Sequence, residues 1–433
     1  MYQIVTKLVQ LLYDSINQRL LKKIDKQTIR NSIKYDIKNN VFMSSIALKV
    51  KIPAEEIITN INLINSKNFL DEAAIKHEFI YLRLNKQVHY TLYNDIFNKV
   101  LYGNFGCSSS KDLVINLKFL NDNNDNSFSA YRNKVYYQSL FNLLRTTNYK
   151  VKEIDNIPVL ECFNWITKLQ NYIYKSKQTY LFNNKVLIDN DKLSEYAKHV
   201  STYIYRCCSK NNEKIITICG NKYSIDTFKQ INKLLNLNYS IVLETEPIII
   251  KNNGIKINSN EAPYNKEKIG DEDRFKYFCA SHDINRNCIF TANQRINLDF
   301  VQFIYDKLSN LLDKIYEANI IDNQWFRESK WNLFKNDEIL FNKICQFDEI
   351  LNFASKNLRL GILEQYLFSL CQLSKPLIRS VSIALNHYYK QKYIDTYRLK
   401  NKMKIMIIVK YIIHFIVSDI FDINIKVRRN NDL

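Results

Sequence analysis

Leu113-Val114-Ile115-Asn116-Leu117-Lys118-Phe119, an Asn/Asp-rich stretch from Asn121 to Asn126, then Tyr131 to Leu144 with Val135, Leu140, Leu143 and Leu144 at helical spacing. A run dominated by β-branched, aliphatic and aromatic residues predicts a strand, and the polar stretch predicts a loop. The apolar positions that follow predict a helix. The same order returns at Ile215-Ile216-Thr217-Ile218-Cys219, which ends at Gly220 and leads into a helix through Phe228, Ile231, Leu234 and Leu235. Strand, loop and helix in repetition predict a parallel sheet whose ligand crevice lies at the strand ends. Ile241 to Ile257 reads as a hairpin around Asn252-Asn253-Gly254.

On the N-terminal side, Ile4, Leu8, Leu11, Leu12, Ile16 and Leu20 predict a first helix. Asp14 and the scarcity of Ser and Arg argue against a mitochondrial presequence there. Lys51 to Glu56 starts another helix, with Pro53 early and carboxylates in its first turn. Glu78 to Leu84 alternates in part, as a strand does. From about residue 296 strands vanish. Helical periodicity runs through Phe300–Tyr316, Glu338–Phe353, Ile362–Leu373, Ile378–Tyr389 and Tyr397–Phe421, predicting an all-α bundle. Lys410, His414 and Asp419 interrupt the apolar run from Ile405 to Phe421, so a buried bundle helix with a polar stripe is expected rather than a membrane span. The fold class is α/β plus all-α, divided at 1–105, 106–295 and 296–433.

A formal charge of +19 favours a polyanionic partner, because neutralising phosphates releases condensed counterions. Abundant Asn, Lys, Ile and Tyr attribute part of that charge to coding bias, so clustered cations weigh more than the total. The chain has six glycines, none between Gly106 and Gly220, few to place where a backbone must approach phosphates closely. Nine cysteines lack any C-x-x-C pair, which fits reduced thiols in a cytoplasmic protein. The six histidines show no metal spacing, and no Walker loop or nucleophile elbow occurs. Neither a metal nor a cofactor is expected.

This order of parts resembles arginyl-tRNA synthetase. Glu78 to Leu84 is similar to the strand closing that family's N-terminal domain, although His77-Glu78 stands where Pro-Gly is usual. Asn148-Tyr149-Lys150-Val151 resembles its Gly-Tyr-x-Val. Arg274 to Phe278, Phe290 and Leu298 to Phe300 resemble the approach to its bundle. Leu363–Tyr389 and Tyr397-Arg398-Leu399 resemble its DALR anticodon-binding domain. The resemblance implies a small N-terminal α+β domain, a class I Rossmann-like domain and a DALR bundle. The reaction centre departs from it. Where the family carries His-x-Gly-His, the stretch from Asn121 to Tyr131 has neither His nor Gly and holds two carboxylates. Of the second signature only Lys256 survives, and Gly220 to Tyr223 lacks the expected His or carboxylate. The Rossmann-like domain is therefore expected to be degenerate. With the bundle kept, and with the stretch from Trp331-Asn332-Leu333-Phe334 to Leu370-Cys371 fitting, the chain is similar to the DALR anticodon-binding domain-containing proteins of animals. That similarity implies a pseudoenzyme, a non-catalytic adaptor binding arginine tRNA for a methyltransferase-like partner that makes 3-methylcytidine.

The expected tRNA contacts are Arg379, Lys390, Lys392, Arg398, Lys400, Lys402, Lys404, Arg428 and Arg429, with Tyr388, Tyr389 and Tyr397 among them. Unpaired bases stack on aromatics while cations hold the backbone. The plainer alternative is a set of solvated helix faces with tyrosines half in the core. Lys400, Lys402 and Lys404 alternate and so splay around a helix. Two rivals remain: a divergent arginyl-tRNA synthetase, an organellar one included, and a protein whose bundle binds another protein.

Overall fold

The computed structural model describes residues 2–17, 24–36, 39, 41–64, 69–101, 114–120, 127–147, 149–153, 174–176, 179–182, 185–189, 192–193, 197, 200–201, 204, 214–219, 222–235, 240–244, 248–252, 255–258, 264–265, 269–286, 288–291, 296–320, 331, 333 and 335–426. The N-terminal part runs α1 (Tyr2–Asn17), α2 (Lys26–Ser32), β1 (Ile33–Asp36), β2 (Val41–Ser44), α3 (Ile46–Val50), α4 (Ala54–Ile64), β3 (Leu70–Lys76), β4 (Phe79–Leu84) and α5 (Lys86–Leu101). Its four strands form an antiparallel sheet in the order β1-β2-β4-β3. Ile80, Leu82 and Leu84 of β4 turn inward, while Arg83 pairs with Glu72 of β3 at 2.8 Å.

The central part opens with β5 (Val114–Leu120), α6 (Phe128–Thr146) and β6 (Lys150–Glu153). Four short strands follow, β7 (Tyr174–Ser176), β8 (Thr179–Phe182), β9 (Lys185–Asp189) and β10 (Lys192–Leu193), then β11 (Lys214–Cys219), α7 (Lys222–Leu234) and β12 (Ser240–Glu244). Strands β12, β11, β5 and β6 lie in that order, every pair parallel, as strand–loop–helix repetition predicts. Two parts of the sequence reading are corrected. Ile241 pairs with Ile216 in this parallel sheet, so the hairpin is confined to β13 (Ile248–Asn252) and β14 (Ile255–Asn258). Strands β7 to β10 form a separate antiparallel sheet that was not anticipated.

Helix α8 (Glu272–Ser281) and β15 (Cys288–Thr291) lead into the bundle: α9 (Asn297–Glu317), α10 (Lys335–Cys345), α11 (Phe347–Asn357), α12 (Gly361–Gln391), α13 (Thr396–His414) and a π-helical turn, Phe415–Ile420. A third correction concerns α12. Ile362–Leu373 and Ile378–Tyr389 are one helix of 31 residues, continuous through Pro376. Proline deletes one backbone hydrogen bond and crowds the preceding turn. Buried Leu370, Cys371, Ser374, Leu377 and Val381 hold both halves against the bundle, and that packing outweighs the local cost. Among the described residues no helix is long and apolar enough to cross a membrane.

Helix α5 locks the N-terminal part onto the bundle. Tyr93 donates to the Asn342 side chain at 3.0 Å, and Trp331 Nε1 donates to Asn94 at 2.6 Å. Lys99 pairs with Asp348 at 2.8 Å. A second tie, between the central part and the bundle, is charged: Arg132, 1% exposed, donates to the carbonyls of Asp283 and Arg286, and buried Asp283 accepts from the exposed Arg359 at 2.6 Å.

Candidate nucleic-acid interface

The C-terminal end of α12 and the start of α13 bring most of the expected contacts to one exposed corner. Between Gln365 and Ser418 the chain holds nine Lys or Arg and a single carboxylate, Asp395. Helix α12 stops at Lys392, which takes a left-handed conformation with φ 55° and closes the last turn by donating its backbone N–H to the Tyr388 carbonyl at 2.8 Å. Three residues later Asp395 caps α13 by accepting from the Arg398 N–H at 3.0 Å. The corner is thus built by a helix stop and a helix start set close together.

Tyr388 and Tyr389 meet edge to face at 5.8 Å, and the Lys392 ammonium lies 5.5 Å from the Tyr388 ring. Tyr389, Tyr393 and Tyr397 are 50%, 75% and 39% exposed. Such exposure of large rings is costly in water, and rings flanked by cations suit unstacked bases. Arg379, Lys390, Lys392 and Arg398 are also exposed. Arg398 is partly neutralised by Asp395 at 3.0 Å. Along α12 the exposed residues Lys375, Arg379, Ile383, His387 and Lys390 recur at spacings of three or four, one row of about 22 Å at 1.5 Å per residue.

Other expected contacts lie elsewhere. Lys404 is 2% exposed, its ammonium 4.9 Å from the Trp331 ring and 5.5 Å from Phe97. It is withdrawn from the interface: an aromatic box from α5 and the pre-α10 segment faces the inward side of α13 and takes this cation. Lys402 is half-buried and donates to Ser380 Oγ at 2.8 Å, tying α13 to α12. Lys400 is half-buried, and Arg428 and Arg429 lie outside the described residues. Sequence reading missed Tyr393 and Lys375; the Lys392-Tyr393 pair was the available signal for the first.

The crevice that would serve nucleotide chemistry lies at the carboxyl end of β5. The chain adds β6 on one side of β5 and β11 on the other, so the strand order reverses there. Asn121–Asn126, Gly220-Asn221, Asn253-Gly254 and Ser259-Asn260 lie outside the described residues, and nothing is described of the Lys256 side chain. The start of α6 is described. Ser127 caps it by accepting from the Ala130 N–H at 3.1 Å, and Phe128 is fully buried. Tyr131 stacks on Tyr264 at 4.3 Å with planes 7° apart, and both hydroxyls donate to Glu272 Oε1, at 3.2 and 3.3 Å. Burial pushes both phenols up, Tyr264 to about 12, so they stay neutral donors at neutral pH. This first turn carries hydroxyls and rings and no imidazole or ammonium.

No protein-family model matches the sequence, and no curated protein sequence matches it. Solved structures do match. Thermus thermophilus arginyl-tRNA synthetase is 9% identical with a TM-score of 0.63, covering 98% of this chain and 99% of that one. Plasmodium falciparum arginyl-tRNA synthetase is 13% identical with a TM-score of 0.60, covering 96% and 98%. At such identities the likeness is one of fold: the chain has an arginyl-tRNA synthetase-like α/β plus helical fold along almost its whole length.

Proposed function

We propose that this synthetase-like fold serves as a non-catalytic tRNA-binding adaptor. Its bundle acts as a DALR-type anticodon-binding module, and it presents arginine tRNA to a tRNA methyltransferase that makes 3-methylcytidine. The observation that carries the reading is the corner at Tyr389–Arg398: three exposed tyrosines among exposed cations, with Asp395 the one carboxylate in a long basic stretch. Rings there offer stacking surfaces to loop bases while cations follow the backbone.

The non-catalytic half of the reading is supported by the start of α6. A Ser cap, a buried Phe and a tyrosine stack form the described end of the Asn121–Tyr131 stretch, which resembles the place where the synthetase family carries His-x-Gly-His. Removing one preorganised stabiliser of this kind typically costs about a hundredfold or more in rate. The experiment pairs equilibrium binding of arginine tRNA over a range of salt with ATP–pyrophosphate exchange. Tight, strongly salt-dependent binding without exchange is expected. Exchange that depends on both arginine and tRNA would restore the divergent synthetase reading, and absent tRNA binding would leave the bundle as a protein-binding surface.

A further inference from the structure

A cavity of about 380 Å³ lies in the seam between the N-terminal part and the bundle, away from the basic corner. Strands β3 and β4 supply Asp71 and Arg83, the start of α5 supplies Lys86 and His89, and α10 supplies Glu338. Leu84, Tyr90, Tyr93 and Leu333 add apolar and aromatic lining. His89 is 6% exposed, and neither ring nitrogen has a hydrogen-bond partner. Buried imidazoles are normally satisfied, so two orphaned nitrogens lining a cavity point to a missing polar ligand. Burial holds this imidazole down to about 4, so at neutral pH it offers one donor and one acceptor.

The rim decides the ligand's charge. Arg83 is already paired with Glu72 at 2.8 Å. Among the described lining residues that leaves Lys86 as the cation, with the Asp71 carboxylate beside the same cavity. A phosphate or a polynucleotide would find the Lys86 ammonium offset by the Asp71 carboxylate, an unfavourable balance. A molecule with both charges fits better. A volume of about 380 Å³ is at the small end of ligand sites, which run roughly 300–1,000 Å³.

We propose that this seam cavity binds a free α-amino acid with a long or aromatic side chain. Lys86 takes its carboxylate, Asp71 takes its ammonium, and its side chain runs along Tyr93 toward His89. The inference stands independently of the RNA reading. A ligand seated there touches both β4 and α10, so its occupancy favours the closed seam between the two parts.

Calorimetric titration of the full chain with the twenty L-amino acids tests it, with AMP and CMP as nucleotide probes. At least one long or aromatic amino acid should bind saturably at one site. Lys86→Ala and Asp71→Asn, both exposed rim positions, should each weaken it about tenfold, the usual cost of one charge-assisted contact. His89→Leu should weaken it as well, with circular dichroism confirming that the variant folds. The proposal is overturned if no amino acid binds, if affinity is indifferent to both rim variants, or if AMP or CMP takes the cavity instead.

Discussion

Replacing Lys390, Lys392 and Arg398 together by alanine tests the basic corner by a slope instead of a single affinity. Each phosphate contact on single-stranded nucleic acid contributes about 0.7 to the slope of log K against log salt. Two full contacts from Lys390 and Lys392 therefore remove about 1.4. Arg398 adds less than a full contact, because Asp395 already sits 3.0 Å from its guanidinium. The expected loss is about 1.4–2.1 in slope. Between 50 and 200 mM salt, a 0.6 log interval, that means the wild type loses about 7–18-fold more affinity than the variant. Fluorescence anisotropy of labelled arginine tRNA, titrated at four or five KCl concentrations, reads the slope directly. All three side chains are exposed, so folding is expected to be unchanged. An unchanged slope would refute the assignment, even if affinity fell for other reasons.

Lys404→Ala is expected to lower stability by about 2–4 kcal/mol, since it empties a buried site and removes cation–π contacts, while the RNA salt slope stays the same; urea unfolding beside anisotropy separates the two. Arg359→Ala should cost about 1–3 kcal/mol, because it leaves the buried Asp283 carboxylate short of its partner. Gly361→Ala should destabilise too, as its Cβ would stand 3.0 Å from both Asp283 Oδ1 and the Ser281 carbonyl; thermal melts check both. His89 is depressed to about 4 in the fold, against about 6.5 unfolded. Its contribution is complete above pH 6.5 and is lost as pH falls toward 4, on the order of 3 kcal/mol, so His89→Leu should flatten that limb of the stability–pH curve.

What could be read in advance was what local pattern dictates. The strand at 113–119 is β5, and the helix expected from Tyr131 begins three residues earlier because Ser127 caps it. Pro376 reads as a break in any local treatment, and only contacts from other helices carry α12 through it. The antiparallel sheet was foreshadowed by Thr179–Phe182 and Lys185–Asp189 flanking Asn183-Asn184, a hairpin signal that was overlooked. At the site, alternation showed that Lys400, Lys402 and Lys404 diverge. Which one turns inward depends on Phe97 and Trp331, residues distant in sequence, so no local rule could single out Lys404. The seam cavity has the same origin: three separate segments meet around His89.

Photocrosslinking of arginine tRNA to the full chain, with the crosslinked peptides located by mass spectrometry, shows which residues meet the anticodon loop. Crosslinks should concentrate on Tyr389, Tyr393 and Tyr397 and join them to anticodon-loop nucleotides. Crosslinks confined to the central parallel-sheet region, with none between residues 375 and 400, would contradict the assignment of the basic corner to tRNA.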